Sequence, residues 1–374
     1  MNQKDLVSPR QLLAAAFVAI LSPLIRRFPR VLAETAGRAA WLSVGITVLP
    51  AAAAAGMLWL FYRRQPLGSG FADILTRCLG KWPGRILTGF YGLWFAMYAG
   101  FLLRSGADRF ISTVYPGSGP ALFVVVMALL CLVAAMGRLC PIARAAMLFR
   151  PLLCGVFLAV FLLTMRDFRP QLLFPVTRAD LAPGMLASLQ TTNVLSVGTL
   201  VVFFTDQLSR PFRREDRPFL QVLALLGLIL LMTVSCLAMF GPRLTANMSY
   251  PFFMLVRDLS VLGSLERAEP VVIALWVLSD FVMLSLLLQG AGKNIRFCLG
   301  FRDCRTASPA LCLRQGRWLF PLCGVLAAAG AILLPGDISV FRLLSEKLVP
   351  TANWLFSCVL PILVLVIGLL RKRL

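Results

Sequence analysis

Long blocks of apolar residues, broken by short polar and basic stretches, run along almost the whole chain. Uncharged windows cover Ala39 to Tyr62, Ile86 to Leu103, Pro120 to Gly137, Leu181 to Thr205, Pro218 to Pro242, Trp318 to Gly336 and Leu348 to Leu370. At about 1.5 Å of rise per residue, each is long enough to cross a hydrocarbon core of about 30 Å as a helix. Three further segments need argument. Gln11 to Ile25 is short, Pro141 to Met165 carries Arg144 and Arg150, and Pro270 to Gly292 carries Asp280 near its middle. Counting them predicts ten transmembrane helices.

Two of the ten are abnormal, and they stand first in each half of the chain. Helix 1 runs directly into Ser22-Pro23, Arg26-Arg27 and Pro29, while helix 6 is interrupted by Gln190, Thr191, Thr192, Asn193, Ser196, Gly198 and Thr199. Short or interrupted segments at matching places in two halves are the mark of inverted-repeat transporters, whose unwound mid-membrane backbone supplies binding groups. The pattern predicts an all-α integral membrane protein of five plus five helices, with discontinuous helices 1 and 6. Its repeats span about 8–165 and 181–370 within a single polytopic domain, 1–374. An ordinary helix 6 with back-bonded hydroxyls and a tilted helix 1 is the plainer alternative. Between helices 2 and 3, Phe71, Ile74, Leu75, Cys78 and Leu79 recur at helical spacing and predict an amphipathic cytoplasmic helix. Between helices 7 and 8, Pro251 to Glu269 forms a partly apolar outer segment.

Composition sharpens this picture. The chain of 374 residues is 59% hydrophobic and 14% charged, with a mean hydropathy of +0.84, too apolar for a solvated surface. It contains no histidine, which removes Ser-His-Asp and Cys-His nucleophiles and His-ligated zinc. No catalytic constellation is visible, and no enzyme activity, metal or cofactor is expected. A net charge of +21 suits loops lying against anionic headgroups and needs no nucleic acid partner. Arg63 and Arg64, the cluster Arg210, Arg213, Arg214 and Arg217, the segment Lys293 to Arg317, and Arg371 to Arg373 anchor the cytoplasmic side. That arrangement puts both termini in the cytoplasm. A signal peptide is the competing reading of the first segment, with Lys4 and Arg10 ahead of it, but a first helix followed closely by a second can itself start insertion.

The ten cysteines make no metal or disulfide pattern; Cys298, Cys304 and Cys312 are spaced too widely for a C-x-x-C site. Gly290-Ala291-Gly292-Lys293-Asn294 lacks the first glycine and the hydroxyl residue of a phosphate loop, and Gly68-Ser69-Gly70 lacks the third glycine of a dinucleotide fingerprint.

Several strings, in order, resemble one family. Phe28-Pro29-Arg30-Val31-Leu32-Ala33-Glu34-Thr35-Ala36-Gly37 with Ala40-Trp41-Leu42-Ser43 is similar to the end of helix 1 and the start of helix 2 in the spore germination permeases. Gly80-Lys81-Trp82-Pro83-Gly84-Arg85, Ile142-Ala143-Arg144 with Pro151, Leu173-Phe174-Pro175-Val176, Tyr250-Pro251-Phe252 with Glu266-Arg267-Ala268-Glu269, and Trp276-Val277-Leu278 follow in register. Two departures stand out. Ala19-Ile20-Leu21-Ser22-Pro23 replaces the usual glycine-containing break, and Asp280 occupies a usually apolar place.

The resemblance implies the B subunit of a nutrient germinant receptor of the amino acid-polyamine-organocation superfamily. It further implies residence in the spore inner membrane, A and C subunits as partners, and an amino acid-like nutrient as ligand. A secondary amino acid permease and a ligand-blind scaffold for the partner subunits are the alternatives. If a zwitterion binds between the broken helices, its carboxylate would meet free N–H groups of an unwound turn. Its ammonium would need an acceptor, and Asp280 is the acid inside a predicted span. Arg144 or Arg150 could neutralise Asp280 instead, or it could stay protonated. Ser22, Tyr98, Thr192, Asn193 and Ser196 complete the candidate ligand-binding set.

Overall fold

In the computed structural model, the described residues are 6–63, 68–114, 117, 119–258, 269–301, 316–334 and 338–371; Lys4, Arg64, Glu266 to Ala268, Cys304, Cys312, Lys372 and Arg373 lie outside them. Every named element is a helix, and one isolated bridge, Val7 with Leu208, is the extended pairing found among the described residues. Seven helical runs there are long and apolar enough to cross a membrane, the first of them containing two helices, and two shorter apolar helices accompany them.

The first helix, α1 (Pro9–Ala36), opens on a capping box in which Ser8 Oγ accepts from Gln11 N–H and the Gln11 side chain accepts from Ser8 N–H. It turns at Gly37, whose φ of 54° suits glycine, into α2 (Ala40–Arg63). The amphipathic connector is α3 (Phe71–Leu79), whose Phe71, Ile74, Leu75 and Cys78 are buried as their spacing required. Next come α4 (Lys81–Thr113), α5 (Pro120–Met136) and α6 (Leu139–Thr164). The second half holds α7 (Leu181–Ser196), α8 (Pro218–Asn247), α9 (Pro251–Asp258), α10 (Glu269–Cys298) and α11 (Leu319–Leu333). Finally α12 (Ile338–Leu343) runs without a break into α13 (Leu344–Leu370), which contains two π-helical stretches. In α8, Gly241 at φ 75° kinks the helix ahead of Pro242.

One expectation changes here. The break foreseen in helix 1 is not an unwinding, because α1 continues for 28 residues through Pro23 and Pro29. Each proline withholds one N–H from the carbonyl a turn earlier, a loss that a membrane helix tolerates when neighbouring helices enclose it. They do so here: nineteen of the 28 residues are buried, and α1 touches α6, α7, α8, α9 and α10. In helix 6 the discontinuity is real but tighter than expected. At Val197 the α-helix changes to a 3₁₀ segment lasting eleven residues, Val197–Gln207, far longer than the usual single turn.

Small residues bring α4 onto α10. A Cβ at Gly92 would fall 2.7 Å from Ile295 Cγ1 and 3.1 Å from Ile295 N, and one at Gly290 would meet the Phe95 ring at 2.9 Å. Close backbone approach replaces the hydrophobic drive that lipid cannot supply. Outward, α6 exposes Leu148, Leu152, Leu158 and Leu162, and α13 exposes Ile362, Leu363, Val366 and Leu369. These faces are apolar because their solvent is acyl chain.

Candidate functional site

The polar residues of α1, α4 and α10 converge inside the bundle. Ser22 and Arg26 are one helical turn apart and so share a face of α1, and both are buried. Ser22 Oγ donates to Asp280 Oδ1 on α10 at 2.5 Å, and Arg26 Nη2 donates to Ser22 Oγ at 3.0 Å. Arg26 Nη2 also stands 3.6 Å from Asp280 Oδ1. The other carboxylate oxygen, Oδ2, accepts from Arg109 Nη2 near the end of α4. One turn before Asp280, the Trp276 ring lies under the Arg109 guanidinium at 4.5 Å, and Phe253 of α9 packs on that ring. Beside Asp280, Ser279 Oγ donates to the Val18 carbonyl at 2.6 Å, stitching α10 to α1. Gly106 of α4 faces the carboxylate, and a Cβ there would sit in ordinary contact at 3.5 Å from Asp280 Oδ2.

At about 1.5 Å per residue, Ser22 lies about 20 Å along α1 from Pro9, and Asp280 about 27 Å along α10 from Cys298. The cluster is therefore deep within the bundle. An isolated carboxylate or guanidinium at such depth is expensive, so these groups are held by one another.

The sequence candidates divide. Ser22 and Asp280 are brought into direct contact. Tyr98 lies close by on α4, stacked between Trp94 and Phe101, with Asn353, Arg26 and Asp280 in its surroundings. Thr192 and Ser196 bond back to their own helix, through the Ser188 carbonyl at 2.9 Å and the Asn193 carbonyl at 2.6 Å. Asn193 Nδ2 donates to the Pro350 carbonyl at 3.1 Å, joining α7 to α13, while its buried Oδ1 has no partner.

The neutralising arginines are not those foreseen on helix 5: Arg144 is exposed, and Arg150 is half-buried where it can donate to the Gln221 side chain. Arg26 and Arg109 pair with Asp280 instead. Both lie outside the apolar windows of the sequence, within which an unpaired arginine is costly in lipid. The signals for their inclusion were the i,i+4 relation of Ser22 to Arg26 and that of Arg104 to Asp108, whose 3.0 Å pair shows the helix continuing past Leu103.

A second polar cluster lies near the C-terminal end of α10. Lys293 Nζ of α10 donates to Asp206 Oδ1 at 2.5 Å and to the Phe203 carbonyl at 2.7 Å. Beside it lies a cleft of about 30 Å³ lined by Asp73, Asp206, Lys293 and Asn294, room for about one water. The chain before α1 is tied there too, Val7 N–H to the Gln207 carbonyl and Ser209 N–H to the Val7 carbonyl, each at 2.9 Å. Asp216 fastens this tether, accepting from Arg210 Nη1 and Nη2 and from Arg213 N–H, with Arg10 at 3.6 Å. Burial pushes the Asp216 carboxyl up, but those hydrogen bonds and the charges of Arg210 and Arg10 outweigh it and hold it below the ordinary carboxylate value. Among the described residues no group of three or more Cys, Asp or Glu could hold a metal ion.

Comparison with known proteins follows the same lines. A family described as spore germination protein matches residues 6–307. No curated protein matches the chain. Among solved structures, the substrate-bound outward-open state of a Na+-coupled sialic acid symporter is similar with a TM-score of 0.64 and 11% identity, covering 91% of this chain and 77% of that one. MhsT in complex with L-phenylalanine is similar with a TM-score of 0.50 and 15% identity, covering 94% and 98%. At such identities the likeness is one of fold, and the fold is that of these membrane transporters.

Proposed function

The chain belongs to the spore germination permease family, a permease-like membrane protein, and on that premise we propose that it is the membrane subunit of a nutrient germinant receptor. In this reading it resides in the spore inner membrane with both termini cytoplasmic, binds an amino acid or similar small nutrient within the bundle, and passes occupancy to A and C subunits as a germination signal. The observation that carries the binding step is the buried cluster of Ser22, Arg26, Arg109 and Asp280, which links three helices of a transporter fold through hydrogen bonds and ion pairs to one carboxylate. Signalling needs only that the nutrient bind one conformation more tightly than another, so flux is not required. The tether of Val7 and Asp216 and the Lys293–Asp206 pair would hold the end nearest the termini shut in the conformation described.

A second reading is a secondary permease, favoured by a fold shared with a sodium-coupled symporter. Two measurements separate them. Spores lacking this chain should lose refractility in response to fewer nutrients, with the response restored by the reintroduced gene; an unchanged nutrient profile refutes the receptor role. Concentrative uptake of radiolabelled amino acids into proteoliposomes by the isolated chain would favour the permease.

A further inference from the structure

The cluster at Asp280 is not charge-balanced. Arg26, Arg109 and Asp280 are 6%, 1% and 3% exposed, and together they carry one net positive charge. Among the described residues, the ion pairs of both guanidinium groups run to the same carboxylate. Three guanidinium nitrogens, Arg26 Nε, Arg109 Nε and Arg109 Nη1, are buried with no hydrogen-bond partner. Arginine does not give up its proton in proteins, so the cluster has no means of shedding the excess by titration. Protonating Asp280 would enlarge the excess. The Trp276 ring attracts one face of Arg109 but offers nothing to N–H groups in the guanidinium plane. What completes the site is an anion with oxygen acceptors, and a carboxylate is the small organic group that meets a guanidinium best.

We propose that this α1–α4–α10 cluster receives the carboxylate of the nutrient, on the free N–H groups of Arg109 with Arg26 adding charge. Asp280 then holds the two arginines apart and is not the acceptor of a ligand ammonium, the reverse of the role the sequence suggested for it. The proposal rests on reading the chain as a ligand-binding subunit and names the chemical class that the binding site takes.

The test uses the full chain in nanodiscs of phosphatidylcholine alone, so that no anionic lipid competes. Acetate and propionate carry a carboxylate and no ammonium; acetamide, propionamide and ethylamine are their controls, and chloride is the control for an unspecific anion. The two carboxylates should raise the unfolding temperature in a saturable way, and the three organic controls should not. Arg109→Gln leaves the balanced pair of Arg26 with Asp280 and so should fold, yet its apparent affinity for propionate should fall at least tenfold. Arg109→Lys, which keeps the charge and loses the planar donors, should fall between the two. Stabilisation by ethylamine in place of the carboxylates, an equal response to chloride, no response to any probe, or the same response in Arg109→Gln overturns the proposal. Germination of spores carrying Arg109→Gln is scored in parallel. Nutrient responses that depend on the chain, with no carboxylate binding, leave the receptor reading and remove the site. Carboxylate binding through Arg109, in spores whose responses ignore the chain, removes the receptor reading and leaves the site.

Discussion

Replacing Asp280 with Asn tests whether this carboxylate is the counter-charge that lets two arginines lie inside the bundle. The substitution keeps the shape, removes the negative charge and raises the local balance from one positive charge to two. At the 3.6 Å separation of Arg26 from Asp280, the gross attraction is about 4.6 kcal/mol for an effective dielectric of about 20. Desolvation has already consumed part of that gain. The loss on removing one partner of a buried pair is nonetheless about 3–5 kcal/mol, because the remaining charge is stranded. With Arg109 also stranded, Asp280→Asn should lower the unfolding temperature by about 5–15 °C, at roughly 2–4 °C per kcal/mol and less in a chain this long. Thermal unfolding can be followed with a thiol-reactive dye, because Cys78, Cys131, Cys236 and Cys323 are buried. The charge argument also fixes an order. Arg109→Gln should be at least as stable as the unmodified protein, the double variant Asp280→Asn with Arg109→Gln should recover part of the loss, and Asp280→Asn alone should be least stable. An Asp280→Asn protein unfolding within about 2 °C of the unmodified chain, well under the shift expected of a stranded charge, would refute the reasoning.

Gly84 should not accept a side chain, since its Cβ would lie 2.6 Å from Thr76 Cα and 2.8 Å from the Leu75 carbonyl carbon; Gly84→Ala should cost about 1–3 kcal/mol, read as a lowered unfolding temperature. Thr192→Val and Ser196→Ala remove hydroxyls already bonded to their own helix and should change stability by no more than about 1 kcal/mol. The germination dose-response should be unmoved by either, and a shifted nutrient threshold would return those hydroxyls to the binding site. The Asp216 carboxyl is held below its ordinary value of 3.8, so its contribution is fully present above that pH and is lost as pH falls through the lower folded value. Asp216→Asn should mimic that loss at neutral pH. Hydrogen exchange at the Val7 and Ser209 amides should then quicken about tenfold or more, in line with a charged hydrogen bond worth about 1.5–3 kcal/mol; unchanged exchange would show that the tether does not depend on Asp216.

Much of the architecture was written in the chain. Apolar runs located several helices within a few residues, as with Pro120 to Gly137 against α5 and Leu181 to Thr205 against α7 with its 3₁₀ continuation, because lipid forces each span to satisfy its own backbone; α1 and α4 run about ten residues past their apolar windows, to Ala36 and Thr113. Periodicity alone placed α3, and a lone acid in an apolar run singled out Asp280. The partners of that acid were not legible. Arg26 and Arg109 read as ends of spans because sequence rules price a charge as if it stood by itself, whereas packing α1, α4 and α10 together sets two guanidinium groups on one carboxylate and makes their depth tolerable. For the same reason Pro23 and Pro29 foretold a break that neighbouring helices suppress, while the hydroxyl-rich stretch of helix 6 became a 3₁₀ segment one turn later than its polarity suggested. Local sequence determined where the chain would cross the lipid; which buried charges face one another, and with what balance, was decided only when distant helices met, since electrostatic cost depends on the neighbours a fold supplies and not on distance along the chain.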